Sequence, residues 1–162
     1  MSGENRVNKK LRTFVTILNE ISDLSTSTKL KVGAMSLHWS FQKIASFGYN
    51  GSYPGAEINP LTGSEEESLE PGQSGFIHAE VNMIAKFREI NPEDYIILLT
   101  HSPCNICTKV LINAGFRYVY WVESYRETSH LTIFDDLGIK CGNISSLEKD
   151  YPNIKNSKTK VF

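Results

Sequence analysis

Two short motifs flanking one apolar run constrain this chain more than any other feature. They are His78-Ala79-Glu80 and Pro103-Cys104-Asn105-Ile106-Cys107, with Tyr95–Thr100 between them. One imidazole and two thiols three positions apart are donors that zinc prefers, and three protein ligands leave a fourth position for water in a hydrolytic site. Glu80 stands two residues beyond the His, able to act on that water without ligating the metal. A Cys-x-x-Cys alone is also compatible with a structural zinc knuckle or a redox pair, and a His-x-Glu alone carries little information. The combination, in this order and on two helix starts separated by a strand, favours the catalytic metal site.

The rest of the chain supplies a scaffold for two such helix starts. Leu11, Phe14, Val15, Leu18, Ile21 and Leu24 recur at helical spacing over roughly four turns, after a polar leader Met1–Lys10 that is expected to be loose. Ser25-Thr26-Ser27-Thr28 favours a loop. Strands are expected at Val32–Trp39 and Ile44–Tyr49, turning at Ser40–Lys43 and followed by the turn Asn50-Gly51-Ser52. Glu57–Gly75 replaces periodic apolar residues with Pro, Gly, Ser and Glu, so it reads as a surface loop, either a solvated excursion or a lid or subunit contact. A helix begins near His78, with Val81, Ile84, Ala85 and Phe87 as candidates to face the core, and Asn91-Pro92 ends it.

Tyr95–Thr100 is apolar throughout, as suits a strand buried on both faces. Cys104–Ala114 is a second helix, closed by Gly115. Arg117–Val122 is a strand, Ser129–Leu137 a helix stopped by Gly138, and Ile139–Ile144 a last strand. The polar tail Lys149–Phe162 is expected to be loosely held. An opening antiparallel hairpin followed by strand–helix alternation predicts an α/β fold, a three-layer αβα sandwich on a mixed five-stranded sheet in a single domain, 1–162. The metal then lies at one end of the sheet.

Charge narrows the partner. Seventeen basic and 18 acidic side chains leave a net charge of −1 with no long basic stripe, which argues against a protein that lives on nucleic-acid backbones. Three Cys, two of them assigned to the metal, provide no disulfide framework, so a reducing, cytoplasmic home is expected. The leader lacks the apolar core of a signal peptide, and no apolar run is long enough to span a bilayer. Cys141 is expected to be a buried, small apolar residue. Both ligand segments open helices, where unpaired amides and the macrodipole favour the thiolates a metal requires. Glu80 is the expected proton shuttle, placed to take a proton from the attacking water and pass it on.

In these residues the chain resembles the deoxycytidylate (dCMP) deaminases of the zinc-dependent cytidine deaminase superfamily, including those of phages. The metal motif carries the superfamily. The narrower likeness rests on Lys31-Val32-Gly33-Ala34, Gly48-Tyr49-Asn50-Gly51-Ser52, His78-Ala79-Glu80-Val81-Asn82 and Ser102-Pro103-Cys104-Asn105-Ile106-Cys107 followed by Ala114-Gly115-Phe116, covering most of 29–125. It implies hydrolysis of dCMP to dUMP and ammonia, with one catalytic zinc per chain, a small nucleotide substrate, neither nucleic acid nor membrane as partner, and a homo-oligomeric assembly.

By position, the resemblance gives Asn50 to the sugar hydroxyl and the backbone at Ala79 and Ser102 to the polar edge of the cytosine. Tyr125 falls against the nucleotide, with Arg126 and Lys29 as candidates for the 5′-phosphate. On their own terms Tyr125 is equally a core tyrosine at a strand end, and Lys29 and Arg126 equally solvated cations. Two departures stand out. Glu57–Ile77 contains neither Cys nor His, so the second, structural zinc of many relatives is not expected, and Tyr53 stands where the nucleotide-regulated relatives carry Pro. The rival readings are another superfamily substrate (cytidine, guanine or a modified dCMP), more remotely a transfer-RNA adenosine, and a non-catalytic zinc module. Glu80 argues against the last, because a structural site needs a fourth ligand and not a base.

Overall fold

Six consecutive buried residues, Tyr95 to Thr100, form the spine of the molecule. In the computed structural model, which describes residues 3–56, 75–125 and 127–160, they lie in the central strand of a five-stranded sheet. The elements in chain order are α1 (Gly3–Ser22), β1 (Gly33–His38), β2 (Ile44–Tyr49), α2 (Ala79–Lys86), β3 (Tyr95–His101), α3 (Asn105–Asn113), β4 (Tyr118–Glu123), α4 (Thr132–Asp136), β5 (Lys140–Asn143) and α5 (Ile144–Thr159). A 3-10 turn, Ser129–Leu131, leads into α4.

The sheet order is β2-β1-β3-β4-β5. β1 runs antiparallel to both β2 and β3, whereas β3, β4 and β5 are mutually parallel. Alternation along β3 sends Tyr95, Ile97 and Leu99 into one core with Met83, Leu111, Phe116, Trp121 and Phe134. It sends Ile96 and Leu98 into a second core with Leu11, Leu18, Tyr120, Leu147 and Tyr151. Helices α2, α3 and α4 cover the first face, α1 and α5 the second. The result is the mixed-sheet, three-layer α/β architecture expected from the sequence.

Several details differ from that expectation. The stretch read as a loose leader is helical from Gly3, since Val7 extends the apolar stripe toward the N-terminus and Glu4 sits favourably in the first turn. Leu24, read into the same stripe, lies beyond the helix end and is 56% exposed. α2 stops at Lys86, short of Asn91, because Phe87 leaves the helix to pack edge-on against Tyr95 and Phe116. Val81 faces outward from α2, not the core.

The largest difference is the polar tail, which forms α5. Asn143 caps this helix, accepting from the Ser146 amide, and Leu147, Tyr151 and Ile154 make a three-residue buried stripe. Side-chain bonds finish the attachment: Tyr120 Oη to Asp150 (2.7 Å), Tyr151 Oη to the Trp39 carbonyl (2.9 Å) and Lys158 to Asp94 (2.9 Å).

Two glycines set the entry to the site. A Cβ on Gly48 would lie 2.4 Å from the Ala79 carbonyl oxygen and 2.5 Å from the Met83 amide, so only glycine lets α2 lie this close to β2. Gly115, at φ +94°, closes α3 in the left-handed region.

Candidate metal centre

Both ligand segments are helix starts at the same end of the sheet. His78 is the N-cap of α2 and Cys104 the N-cap of α3, each with extended backbone. The α2 segment is fixed through Asn82, whose side-chain amide donates to the Tyr49 carbonyl at 2.9 Å and whose own N–H bonds the His78 carbonyl. Cys107 lies in the first turn of α3 and is buried; its amide donates to Cys104 Sγ at 3.4 Å.

His78 Nδ1 lies 3.5 Å from Cys104 Sγ and 3.3 Å from Cys107 Sγ. All three donor atoms fall within 4.8 Å of one another, a grouping that does not include the Glu80 carboxylate. Zinc–nitrogen and zinc–sulfur bonds of about 2.0 and 2.3 Å at tetrahedral angles put N and S roughly 3.5 Å apart. The donors fit one zinc ion, with one coordination position to spare.

Electrostatics agree with the fit. The Cys104 thiol is drawn down to about 4, chiefly because its thiolate accepts from the Cys107 thiol, and Cys107 is pushed up by the same bond together with burial. The pair therefore shares one proton in the metal-free protein, and a divalent cation displaces it. Glu80, 4% exposed, has its carboxyl pushed up by burial, and the nearby charge of Cys104 adds to the effect. A carboxyl whose proton affinity is raised by burial, beside a metal-bound water, is suited to accept and return a proton.

The other sequence candidates are distributed unevenly. Asn50 is buried, and its side chain bridges the loop before β1, accepting from the Val32 amide (2.9 Å) and donating to the Leu30 carbonyl (2.8 Å). Ser102 is buried; its amide donates to the Glu123 carbonyl, and its hydroxyl accepts from the Tyr125 amide at 2.6 Å. Tyr125 is half-buried and therefore not a core tyrosine, and Lys29 is exposed. Arg126 and the loop 57–74 lie outside the described residues. Cys141 is half-buried, not buried; partial burial, with an Asp135 carboxylate oxygen 3.9 Å from the thiol, raises it to about 11.

Sequence reasoning missed two side chains that hold the metal loop. Thr108 Oγ1 donates to the Cys104 carbonyl at 2.9 Å, and His130 Nε2 lies 2.8 Å from the Pro103 carbonyl. Thr108 carried a signal, since a Thr four residues after a helix cap can bond back to it. His130 carried none.

The model of the cytidine and deoxycytidylate deaminase zinc-binding region matches residues 8–123, spanning both motifs. The chain belongs to this family. Among curated relatives it is 29% identical over 119 residues to a probable deoxycytidylate deaminase of Caenorhabditis elegans, covering 74% of this chain and 60% of the relative. The human deoxycytidylate deaminase is 29% identical over 122 residues, covering 74% of this chain and 68% of its own. The chain thus spans about two thirds of the length of these relatives. Among solved structures, the dCMP deaminase of cyanophage S-TIM5 in complex with dCMP and dUMP superposes with a TM-score of 0.69 at 26% identity, covering 89% of this chain and 99% of that one. The family's zinc-binding region coincides with the His78, Cys104 and Cys107 cluster, and one zinc is the metal this site fits.

Proposed function

We propose that the protein hydrolyses dCMP to dUMP and ammonia. The observation that carries this reading is the buried carboxyl of Glu80 beside a three-donor zinc cluster, in a chain similar to a phage enzyme solved with dCMP and dUMP. His78, Cys104 and Cys107 hold the ion, which when bound acts as a Lewis acid and makes water acidic enough to attack near neutral pH. The water oxygen adds to C4 of the cytosine. Glu80 takes the proton lost by that oxygen and gives it to ring N3. A second proton passes through Glu80 to the C4 amino group, the C4–N bond breaks, and ammonia leaves a carbonyl at C4.

The base is oriented by backbone at the two metal loops. The Ala79 amide, in the first turn of α2, is one of the donors a helix leaves unpaired and serves the base carbonyl. Ser102 spends its amide on Glu123, so its carbonyl is the group offered to the exocyclic amine. Tyr125 lies against the nucleotide, Asn50 serves the sugar and orders the Leu30–Val32 stretch, and Lys29 and Arg126 meet the 5′-phosphate. The assembly is a homo-oligomer, a reading supported by exposed Phe47 on the edge strand β2, Val81 on α2 and Ile106 on α3, the last two on the helices that carry the metal ligands. No helix among the described residues is long and apolar enough to cross a membrane. The cytoplasm, which keeps two zinc-binding thiolates reduced, is the compartment that suits the site.

The test is turnover of purified zinc-loaded protein on dCMP, CMP, deoxycytidine and 5-substituted dCMP. A preference for dCMP over deoxycytidine of at least about tenfold is expected, because one charge-assisted phosphate contact is worth roughly 1.5–3 kcal/mol. Equal rates on nucleotide and nucleoside overturn the dCMP assignment, and no turnover on any of the four overturns the deaminase reading.

A further inference from the structure

The two stretches that frame the site are tied together at Ser102-Pro103, and the second tie has no part in the reaction above. Ser102 holds one end of the stretch after β4 through the Glu123 carbonyl and the Tyr125 amide. His130, at the other end of that stretch, reaches back to the Pro103 carbonyl at 2.8 Å. A carbonyl oxygen only accepts, so His130 Nε2 carries the proton and donates it. The His130 backbone is fixed beneath by its neighbour Leu131, which is buried in the core with Phe134.

The consequence falls on one metal ligand. The Pro103 carbonyl and the Cys104 amide belong to one rigid peptide plane, so anchoring that oxygen orients the entry to Cys104. The exit plane is anchored as well, since the Cys104 carbonyl accepts from both the amide and the hydroxyl of Thr108. With both planes fixed, only side-chain rotation remains to aim Cys104 Sγ. Cys107 lies within helix α3 and the His78 carbonyl is bonded by Asn82 N–H, whereas the backbone leading into Cys104 is held by a side chain from a distant turn.

We propose that His130 is a positioning residue for the metal, its Nε2–H bond to the Pro103 carbonyl setting the direction from which Cys104 reaches zinc. The inference rests on the zinc reading of the site but not on the identity of the substrate. A Gln at 130 carries an amide donor at about the reach of Nε2, whereas an Asn falls short of Pro103. Both are polar and fit a half-buried position on a 3-10 turn.

The experiment follows zinc release from the holoprotein to a colorimetric chelator for wild type, His130→Gln and His130→Asn, with melting temperatures measured in parallel. His130→Asn is expected to release zinc about tenfold faster than wild type, the lower end of what loss of a supporting bond around a metal ligand costs. His130→Gln is expected to stay near wild type, with the two variants melting alike. Release from His130→Asn at the wild-type rate, or equally fast release from both variants, overturns the assignment. Wild type that retains zinc yet fails to turn over dCMP overturns the substrate reading and leaves this one standing.

Discussion

Glu80 carries the sharpest consequence of a single side chain. It is buried beside the donor cluster without belonging to it, so its removal separates chemistry from metal binding. Glu80→Gln should keep one zinc per chain by metal analysis while losing at least ~10²- to 10⁴-fold in turnover, the range for one acid–base group. Cys104→Ala should lose the zinc itself. Retention of a tenth of wild-type rate in Glu80→Gln would remove Glu80 from the mechanism. The same residue predicts a pH effect on the metal-free protein. Its carboxyl titrates above the ordinary 4.5 because burial disfavours the charge, so from about that pH upward the folded state retains a proton the unfolded state has lost. Stability therefore falls as pH rises through that window. Metal-free Glu80→Gln, which has no charge to bury, should unfold at higher denaturant than wild type at pH 7, and the two should converge near pH 4.5. Identical curves at pH 7 would contradict the cost assigned to this carboxylate.

Among the elements, α5 differs most from its sequence. Polar residues dominate it and Pro152 lies inside it, yet the helix runs unbroken and Leu147 is fully buried against the face of the sheet opposite the metal. Leu147→Ala should cost about 2–5 kcal/mol in urea unfolding, the range for a buried leucine. Zinc content and kcat in the folded population should be unchanged, because α5 and the metal loops lie on opposite faces. A change below about 0.5 kcal/mol, the scale of a surface substitution, would mean that the tail is not docked in solution. α2 shows the opposite case. Its ligand is obvious in the sequence, but its closeness to β2 depends on Gly48, where any side chain would meet the helix backbone.

For the molecule as a whole, the question is what covers its apolar exterior. Phe47, on the edge strand β2, is 41% exposed, and Ile106, between the two Cys ligands on α3, is 61% exposed. In light scattering at micromolar concentration the protein should have a mass that is a multiple of one chain, and Ile106→Glu should shift it toward the monomer by placing a charge in the contact. A wild-type monomer would refute the oligomer. The overall plan was legible in advance: the buried run of β3, the hairpin before it and the strand–helix alternation after it leave few arrangements open.

Whatever depends on short spacing could be read directly from the residues. Cys104 and Cys107 share a helix start, Glu80 stands two residues from His78, and Tyr95–Thr100 alternates between two cores, because ligand geometry and strand pleat act over one to four residues. The tertiary structure decided whatever needs a partner far along the chain. Tyr151 finds the Trp39 carbonyl 112 positions away, Asn50 turns its amide to a loop 20 residues back, and His130 reaches Pro103 across 27. The outward turn of Val81 and the early end of α2 belong with these. Periodicity marks a residue as apolar or polar, but only the packed neighbours decide which face a helix hides and which carbonyl a lone histidine meets.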